Sequence, residues 1–410
     1  MQHMGDSNTK PHASGPLEGL RVVELGAVVA ASFGARLLAD FGAELIKIEA
    51  PDSLDPLRYW GRARINGRAL WWPIQSRNKK LVTINLRRPE GADLLVRLCE
   101  QSDVLIENFR PGTLERWGVG PERLAEANPE LVIARISGYG QTGPYAEQPS
   151  YAAVAEAVGG MRYINGWPDR PPLRSGLSMG DSLAGMFAVQ GILAALVERA
   201  SSGKGQIVDT ALSEACLAMM ESALAEFDRL GENRERAGTR LPGIAPSNIF
   251  ESKDGQWVVI AANQDAMFDR LCDAMERPDL KSDERFSDHV RRGDNQEEIE
   301  RIVGEWVKQH DRESLHRMLA EANVAAGPVY AASDILEDPQ FQEREMIVTH
   351  GTPELGEFKA QGVVPKLSRT PGSIRWTGAW EPGAHNDEIL GSLLGLGADE
   401  LDGLRERGVI

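Results

Sequence analysis

Between Arg21 and Ile136 short apolar runs alternate with amphipathic stretches, and this alternation limits the fold more than any other feature. Arg21-Val-Val-Glu-Leu25 reads as a strand. Ala30 to Phe41 places Phe33, Leu37, Leu38 and Phe41 on one helical face, with Gly42 at a left-handed C-cap, and Glu44–Glu49 is a second strand stopped by Pro51. This βαβ unit implies a parallel pair joined by a right-handed crossover. The rhythm resumes after an irregular Arg/Trp-rich region, 57–72. A strand is expected over Leu81–Leu86, a helix from Pro89 to about Gln101, and strands at Asp103–Glu107 and Leu131–Ile136. Such repetition specifies an α/β fold with a doubly wound sheet.

In these sheets ligands bind beyond the carboxyl ends of the strands. Here those ends carry Gly26–Ala31, Arg87-Arg88, Asn108-Phe-Arg-Pro-Gly112 and Ser137–Pro144, segments rich in amides, cations and glycines. The chain as a whole is acidic, with a formal net charge of −16, which argues against generic nucleic-acid binding. Yet twelve cations face only six anions between Arg58 and Arg116. That excess reads either as a solvated surface or as a site for a small polyanion, such as a phosphorylated cofactor. The rim segments favour the second reading.

At 410 residues, 42% hydrophobic and 26% charged, the chain reads as globular and too long for one ordinary core. A second, smaller α+β domain is expected over 238–335. It starts with a hairpin of Ser247–Phe250 and Trp257–Ala262 and continues into helices near 264–275, 296–310 and 312–322, the last capped by Asp311. A helical segment over 216–237 links it to the first domain, taken as 17–215, and residues 336–410 return to that domain. Thr210–Leu230 is expected to be one long helical stretch. Met1–Pro16 is polar, lacks the apolar core of a signal peptide, and reads as a disordered leader. No apolar run approaches the ~20 residues of a membrane span. Cys99, Cys216 and Cys272 sit singly among apolar neighbours, as core thiols of a cytoplasmic protein do, and no metal site is indicated.

Three chemistries compete. A dinucleotide site fails because Gly26–Gly34 lacks the G-x-G-x-x-G spacing and places valines where backbone must approach pyrophosphate. Gly176-Leu-Ser178-Met-Gly180 matches a hydrolase nucleophile elbow, with His385 and Asp387 later in the chain. That elbow must follow a buried strand, whereas Trp167–Arg174 carries three prolines. The third is a carboxylate, Asp181, at the start of an apolar helix whose Leu183, Met186, Phe187, Ile192, Leu193, Leu196 and Val197 leave almost no polar face, so burial is expected. Locally Asp181 reads first as an N-cap, contributing about 1 kcal/mol. The same geometry suits a nucleophile, since a helix N-terminus stabilises anions and offers amides to an adjacent oxyanion.

Asn78-Lys-Lys80, Asn108–Gly112, Gly138–Pro144, Gly159-Gly160, Met179-Gly-Asp181, Gly203–Val208 and Ala326–Val329 together resemble the class III coenzyme A transferases, from about Leu17 to Ile410. Formyl-CoA transferase and the succinyl-CoA:dicarboxylate transferases belong to that family. The resemblance implies a Rossmann-like large domain built from both chain ends, a smaller domain between, and two subunits interlocked as a homodimer. Asp181 then matches the catalytic nucleophile. The CoA contacts fall on Val29, Ala30, Ile84, Asn85, Leu86, Arg87, Asn108, Phe109, Arg110 and Arg116, and the substrate pocket on Ser150, Tyr151 and Gly180. Apolar Ile84 and Leu86 suit an adenine, while Arg87 and Arg116 suit phosphates. An acyl-CoA, with succinyl-CoA as the expected donor, and a free carboxylic acid, a small dicarboxylate, are the implied substrates, with no permanently bound cofactor. Arg174 and Arg240 are candidate anchors for a distal carboxylate.

The sequence departs from the family's usual pattern at Val29-Ala-Ala-Ser32, where Ala-Gly-Pro is common, and at Ala152 in place of an acid, and from formyl-CoA transferase at Ala50 in place of an arginine and at Gly238–Gly243 in place of a glycine-rich lid. These differences point away from oxalate–formate exchange. The same fold hosts 2-methylacyl-CoA racemases, which use a histidine where this chain has Tyr151. A phenol with a pKa near ~10 is a poor base at neutral pH, which favours transfer.

Overall fold

The computed structural model describes residues 15–410, so the leader expected over 1–16 lies almost wholly outside the described residues. The chain forms two compact units. One takes the residues up to Met161, Ser175–Glu221 and Glu343–Ile410; the other takes Arg162–Arg174 and Ser222–Gln342.

The first unit is built on β1 (Arg21–Glu24), α1 (Ala30–Asp40), β2 (Glu44–Glu49), β3 (Lys79–Thr83), α2 (Pro89–Cys99), β4 (Val104–Glu107), α3 (Pro121–Ala127), β5 (Val132–Ser137), α4 (Ala152–Val158), α5 (Met179–Ser202), β6 (Ile207–Ala211) and α6 (Leu212–Leu217). The six strands form one parallel sheet in the order β3-β2-β1-β4-β5-β6. Strand order reverses between β1 and β4, which opens a crevice at their carboxyl ends. Successive residues enter opposite cores: Val23, Ile46, Val82 and Leu105 pack under α2 and the C-terminal helices, whereas Val22, Leu45, Val104 and Val132 pack under α1 and α5. Both faces are covered, so the strands are apolar on both sides, interrupted by the buried charges Glu24, Lys47 and Arg135.

Three expectations need correction. The third strand ends at Thr83: the Ile84 amide still donates to the Glu49 carbonyl of β2 at 2.9 Å, but the Asn85 amide turns to the Val409 carbonyl at 2.7 Å, and on the open edge the Thr83 amide donates to Asn386 Oδ1 at 2.9 Å. Residues 210–230 are not one helix. Ile207–Ala211 is the sixth strand, followed by α6 and, after a break, a helix over Ala223–Leu230. Finally, α5 is only partly buried. Gly180, Ala184, Gly185, Ala188, Ile192 and Ala195 face the core, while Met186 and Val197 are 53% and 74% exposed.

By length and composition α5 is also apolar enough to cross a membrane, contrary to the expectation from the lack of an unbroken apolar run of ~20 residues. Its hydropathy is carried by Leu183, Phe187, Val189, Ile192, Leu193, Leu196 and Val197, interrupted by small and polar residues such as Gly185 and Gln190. In the fold it crosses α1 and packs against β5 and β6.

The second unit has its own core around Phe250, Ile260, Phe268, Leu271, Phe286 and Val303. Its antiparallel sheet pairs Ser247–Glu251 with Trp257–Ala261, as the hairpin pattern predicts, and adds Ala326–Pro328 as a third strand. Asp311 caps the helix Arg312–Glu321 by accepting from the Ser314 amide at 2.9 Å.

Candidate active site

A cavity of about 350 Å³ opens at the carboxyl ends of β1, β2 and β3. Of the residues expected to hold CoA, Ile84, Asn85, Leu86, Arg87 and Phe109 line it. Ile84 and Leu86 are buried and make an apolar floor, as a base or pantetheine arm needs. Phe109 meets Trp117 edge-on at 5.0 Å, so the wall includes an aromatic residue the sequence reading did not single out. Trp117 directly follows Arg116, and nothing in that spacing distinguishes it from an ordinary core tryptophan.

The other expected contacts lie outside that lining. Val29 and Ala30 are buried at the start of α1. Asn108 bridges β1 and β4: its Oδ1 accepts from the Ala27 amide at 3.0 Å and its Nδ2 donates to the Ala27 carbonyl at 2.8 Å. Arg110 and Arg116 are exposed beside the crevice, Arg116 donating to Thr113 Oγ1 at 2.8 Å.

The basic excess needs refining. Arg58, Arg77 and Lys79 are buried and paired with Glu49, Asp40 and Glu24, and Lys80 pairs with Glu44 and Glu388. These cations hold the fold. Arg87, Arg88, Arg110 and Arg116 remain exposed at the rim. Arg87 is joined to Asp52 only by a solvent-exposed pair, worth little and readily exchanged for a phosphate. Asn78 is likewise structural: it adopts φ 61°, and its side chain spans Asp40, Ser373 and the Arg375 amide.

Asp181 stands three positions further into its helix than the cap. Ser178 is the N-cap of α5 and makes no side-chain capping bond; Asp181 is the third helical residue, half-buried in the first turn. The positive end of the helix dipole therefore lies against its carboxylate. The missing cap comes from another element: Glu156 of α4, buried, accepts from the Gly180 amide at 3.2 Å. A Cβ on Gly180 would meet the Ala152 carbonyl, Cys216 Sγ and Glu156 Cγ, each at 3.3 Å, so glycine lets α4 and α6 close around this turn. Burial, reinforced by the charges of Glu156 and Asp181, pushes the Cys216 thiol up to about 11. It is a neutral thiol at physiological pH.

Asp181 is connected to the crevice along α5. A Cβ on Gly185, one turn beyond Asp181 on the same face, would lie 2.7 Å from the Ala30 carbonyl. The Val29-Ala30 segment thus abuts the helix close to the candidate nucleophile. Tyr151 forms the N-cap of α4 with its ring 71% exposed, and Ser150 precedes it, packed so closely that a Cβ on Gly138 would come within 2.3 Å of Ser150 Cβ.

The hydrolase alternative does not survive. No strand precedes Ser178, and His385 Nδ1 accepts the Leu81 amide at 2.9 Å, which fixes the tautomer opposite to the one a triad base requires. Arg240 is held by Glu300 at 2.7 Å and Glu297 at 3.0 Å within the second unit, which removes it as a ready carboxylate anchor; Arg174 is exposed. Among the described residues no group of His, Cys, Asp and Glu could hold a metal ion.

The chain is similar to known proteins over nearly its whole length. The sequence profile of CoA-transferase family III matches residues 17–386. Succinyl-CoA–D-citramalate CoA-transferase of Chloroflexus aurantiacus is 50% identical over 395 residues, covering 96% of this chain and 98% of that protein. The beta subunit of the succinyl-CoA–L-malate CoA-transferase of the same organism is 40% identical, with 96% and 98% covered. Human succinyl-CoA:glutarate CoA-transferase is 29% identical, with 96% and 90% covered. Among solved structures, a CAIB/BAIF family protein from Brucella suis superposes with a TM-score of 0.81 at 32% identity, over 93% of this chain and 100% of that one. This chain belongs to family III of the CoA-transferases.

Proposed function

We propose that the enzyme moves CoA from succinyl-CoA to a small dicarboxylate, with Asp181 as the nucleophile. The observation that carries this reading is the placement of Asp181 in the first turn of α5, one turn from the contact with Ala30 beside the nucleotide-sized crevice. The donor and acceptor class are supported by relatives named for succinyl-CoA with D-citramalate, L-malate, mesaconate and glutarate.

The steps balance without an external energy source. An Asp181 carboxylate oxygen attacks the thioester carbonyl; the C–S bond breaks, CoA leaves as the thiolate, and a mixed aspartyl–succinyl anhydride remains. The thiolate then attacks the aspartyl carbonyl, releasing succinate and leaving CoA on Asp181 as a thioester. The acceptor carboxylate attacks that thioester, expels the thiolate and forms a second anhydride. Attack of the thiolate on the acceptor's carbonyl yields the new acyl-CoA and restores Asp181. The group stays activated throughout, so neither ATP nor a resident cofactor is needed. Arg87, Arg88, Arg110 and Arg116 would meet the CoA phosphates, while Ser150, Tyr151 and Gly180 border the acyl group.

The enzyme would act as an interlocked homodimer in the cytoplasm, where its three buried free thiols stay reduced. Racemisation is disfavoured by Tyr151. A screen of carboxylic acids with succinyl-CoA, read as new thioesters by mass, tests the proposal. C4 and C5 dicarboxylates should give products, and thioester formation confined to monocarboxylates would overturn the acceptor assignment.

A further inference from the structure

The loop between β1 and α1 carries a backbone irregularity that the mechanism above does not use. Val28 adopts φ 65°. The left-handed region is open to glycine, but a β-branched residue there is held against its own sterics. Strain of this kind persists only where the surroundings over-determine it, and it gathers at ligand sites.

The surroundings here are explicit. Lys47 Nζ donates to the Gly26 carbonyl at 2.6 Å. Asn108 takes both polar groups of Ala27. Asp55 Oδ1 accepts the Val28 amide at 3.2 Å and the Leu57 amide at 2.9 Å. Behind them lies a buried charge network: Lys47 pairs with Asp55 at 2.9 Å and Glu24 at 2.8 Å, and Lys79 joins Glu24 at 2.7 Å. Asp55 is fixed further by donating its own amide to Glu49 Oε1 at 2.8 Å, and Glu49 is clamped by Arg58. Lys47 and Asp55 side chains are 0% and 1% exposed.

Charges buried this deeply add little net stability over apolar packing, and their best-attested use is to impose one arrangement among several. The arrangement imposed here is that of the loop whose residues Gly26 and Ala27 line the crevice, together with Asp55 itself. The loop's next residues, Val29 and Ala30, begin α1.

We infer that Asp55 and Lys47 are positioning residues for the acyl-CoA: from beneath the loop they hold Val28 left-handed, so that the crevice is formed before the thioester arrives. The inference rests on the CoA-transfer reading. It concerns binding, not the covalent steps, because neither side chain needs to touch a reacting atom. Pre-formed loops gain affinity by removing the ordering cost from the binding event.

The test is a rescue. Asp55→Asn should raise the KM for succinyl-CoA and the Kd for free CoA by about tenfold, the equivalent of ~1.4 kcal/mol, with kcat and the acceptor's KM changed far less. Adding Val28→Gly, which adopts the left-handed conformation without strain, should return most of that affinity. An unchanged Kd in folded Asp55→Asn overturns the inference, as does a loss that Val28→Gly leaves untouched, which is the pattern of general destabilisation. Hydrogen exchange on the wild type gives a second reading that no folding defect can obscure. The Ala27 and Val28 amides should exchange slowly before CoA is added; amides that exchange freely until CoA binds overturn the inference. Because Kd is measured with CoA alone, failure of acyl transfer would sink the functional reading while leaving this result interpretable.

Discussion

Asp181 and its neighbours divide three tasks that a shorter site would assign to one residue. The proposed nucleophile sits at the third helical position, Glu156 satisfies the Gly180 amide that a cap would take, and Cys216 fills the space glycine leaves open. Of these only Asp181 was legible in the sequence, through the Met179-Gly-Asp181 motif. Glu156 lies in an alanine-rich helix, where a glutamate ordinarily means a solvated face, and its burial depends on α4 meeting α5 far along the chain. The neutral state of Cys216 gives a prediction at this scale. Burial raises Cys99 and Cys272 to about 12 and Cys216 to about 11, so at pH 8 all three bind their protons and none is a thiolate. Native protein treated with iodoacetamide at that pH should incorporate no label and retain activity. Rapid labelling of Cys216 with matching inactivation would contradict this account of the site.

At the scale of elements, the crossing of α1 and α5 joins the proposed CoA loop to the proposed nucleophile. Gly34 and Gly185 face each other there: a Cβ on either would come within 3.0 Å or less of backbone on the opposite helix. Gly185→Val should therefore lower stability by about 1–3 kcal/mol and weaken CoA binding at the same time, since the Ala30 carbonyl is the displaced atom. Urea titration and a CoA Kd measured on one preparation check it; a variant unchanged in both would show that the crossing has slack. The βαβ rhythm made β1, α1, β2 and α2 readable to within a residue or two, because their apolar residues dominate the strands despite the buried charges Glu24 and Lys47, and the helices keep one apolar face. The end of β3 and all of β6 were not readable. The first depends on hydrogen bonds to Asn386 and Val409, some 300 residues away in sequence. The second is a short edge strand whose Ile207 and Asp209 face solvent.

For the whole molecule, the expected burial of α5 and its observed exposure carry the quaternary proposal. Met186, Val189 and Leu193 of α5, with Phe33, Leu37 and Phe41 of α1, line an apolar groove of about 790 Å³. In the proposed homodimer the second copy covers these apolar side chains. Light scattering should give a mass of twice 44.8 kDa at micromolar concentration, and a monomer mass would contradict the interlocked arrangement. The family resemblance anticipated a dimer; apolar periodicity alone could say only that α5 needed covering, not by which chain.

The central claim is that Asp181 carries the acyl group and then CoA, and covalent trapping tests it most directly. Protein given succinyl-CoA without an acceptor, quenched with hydroxylamine and digested, should yield an aspartyl hydroxamate at Asp181. Asp181→Ala should yield none and should lose transfer by at least about a thousandfold, as expected when a nucleophile that splits one hard step into easier ones is removed. Transfer that persists in Asp181→Ala, or a hydroxamate found at another carboxylate, would contradict the account.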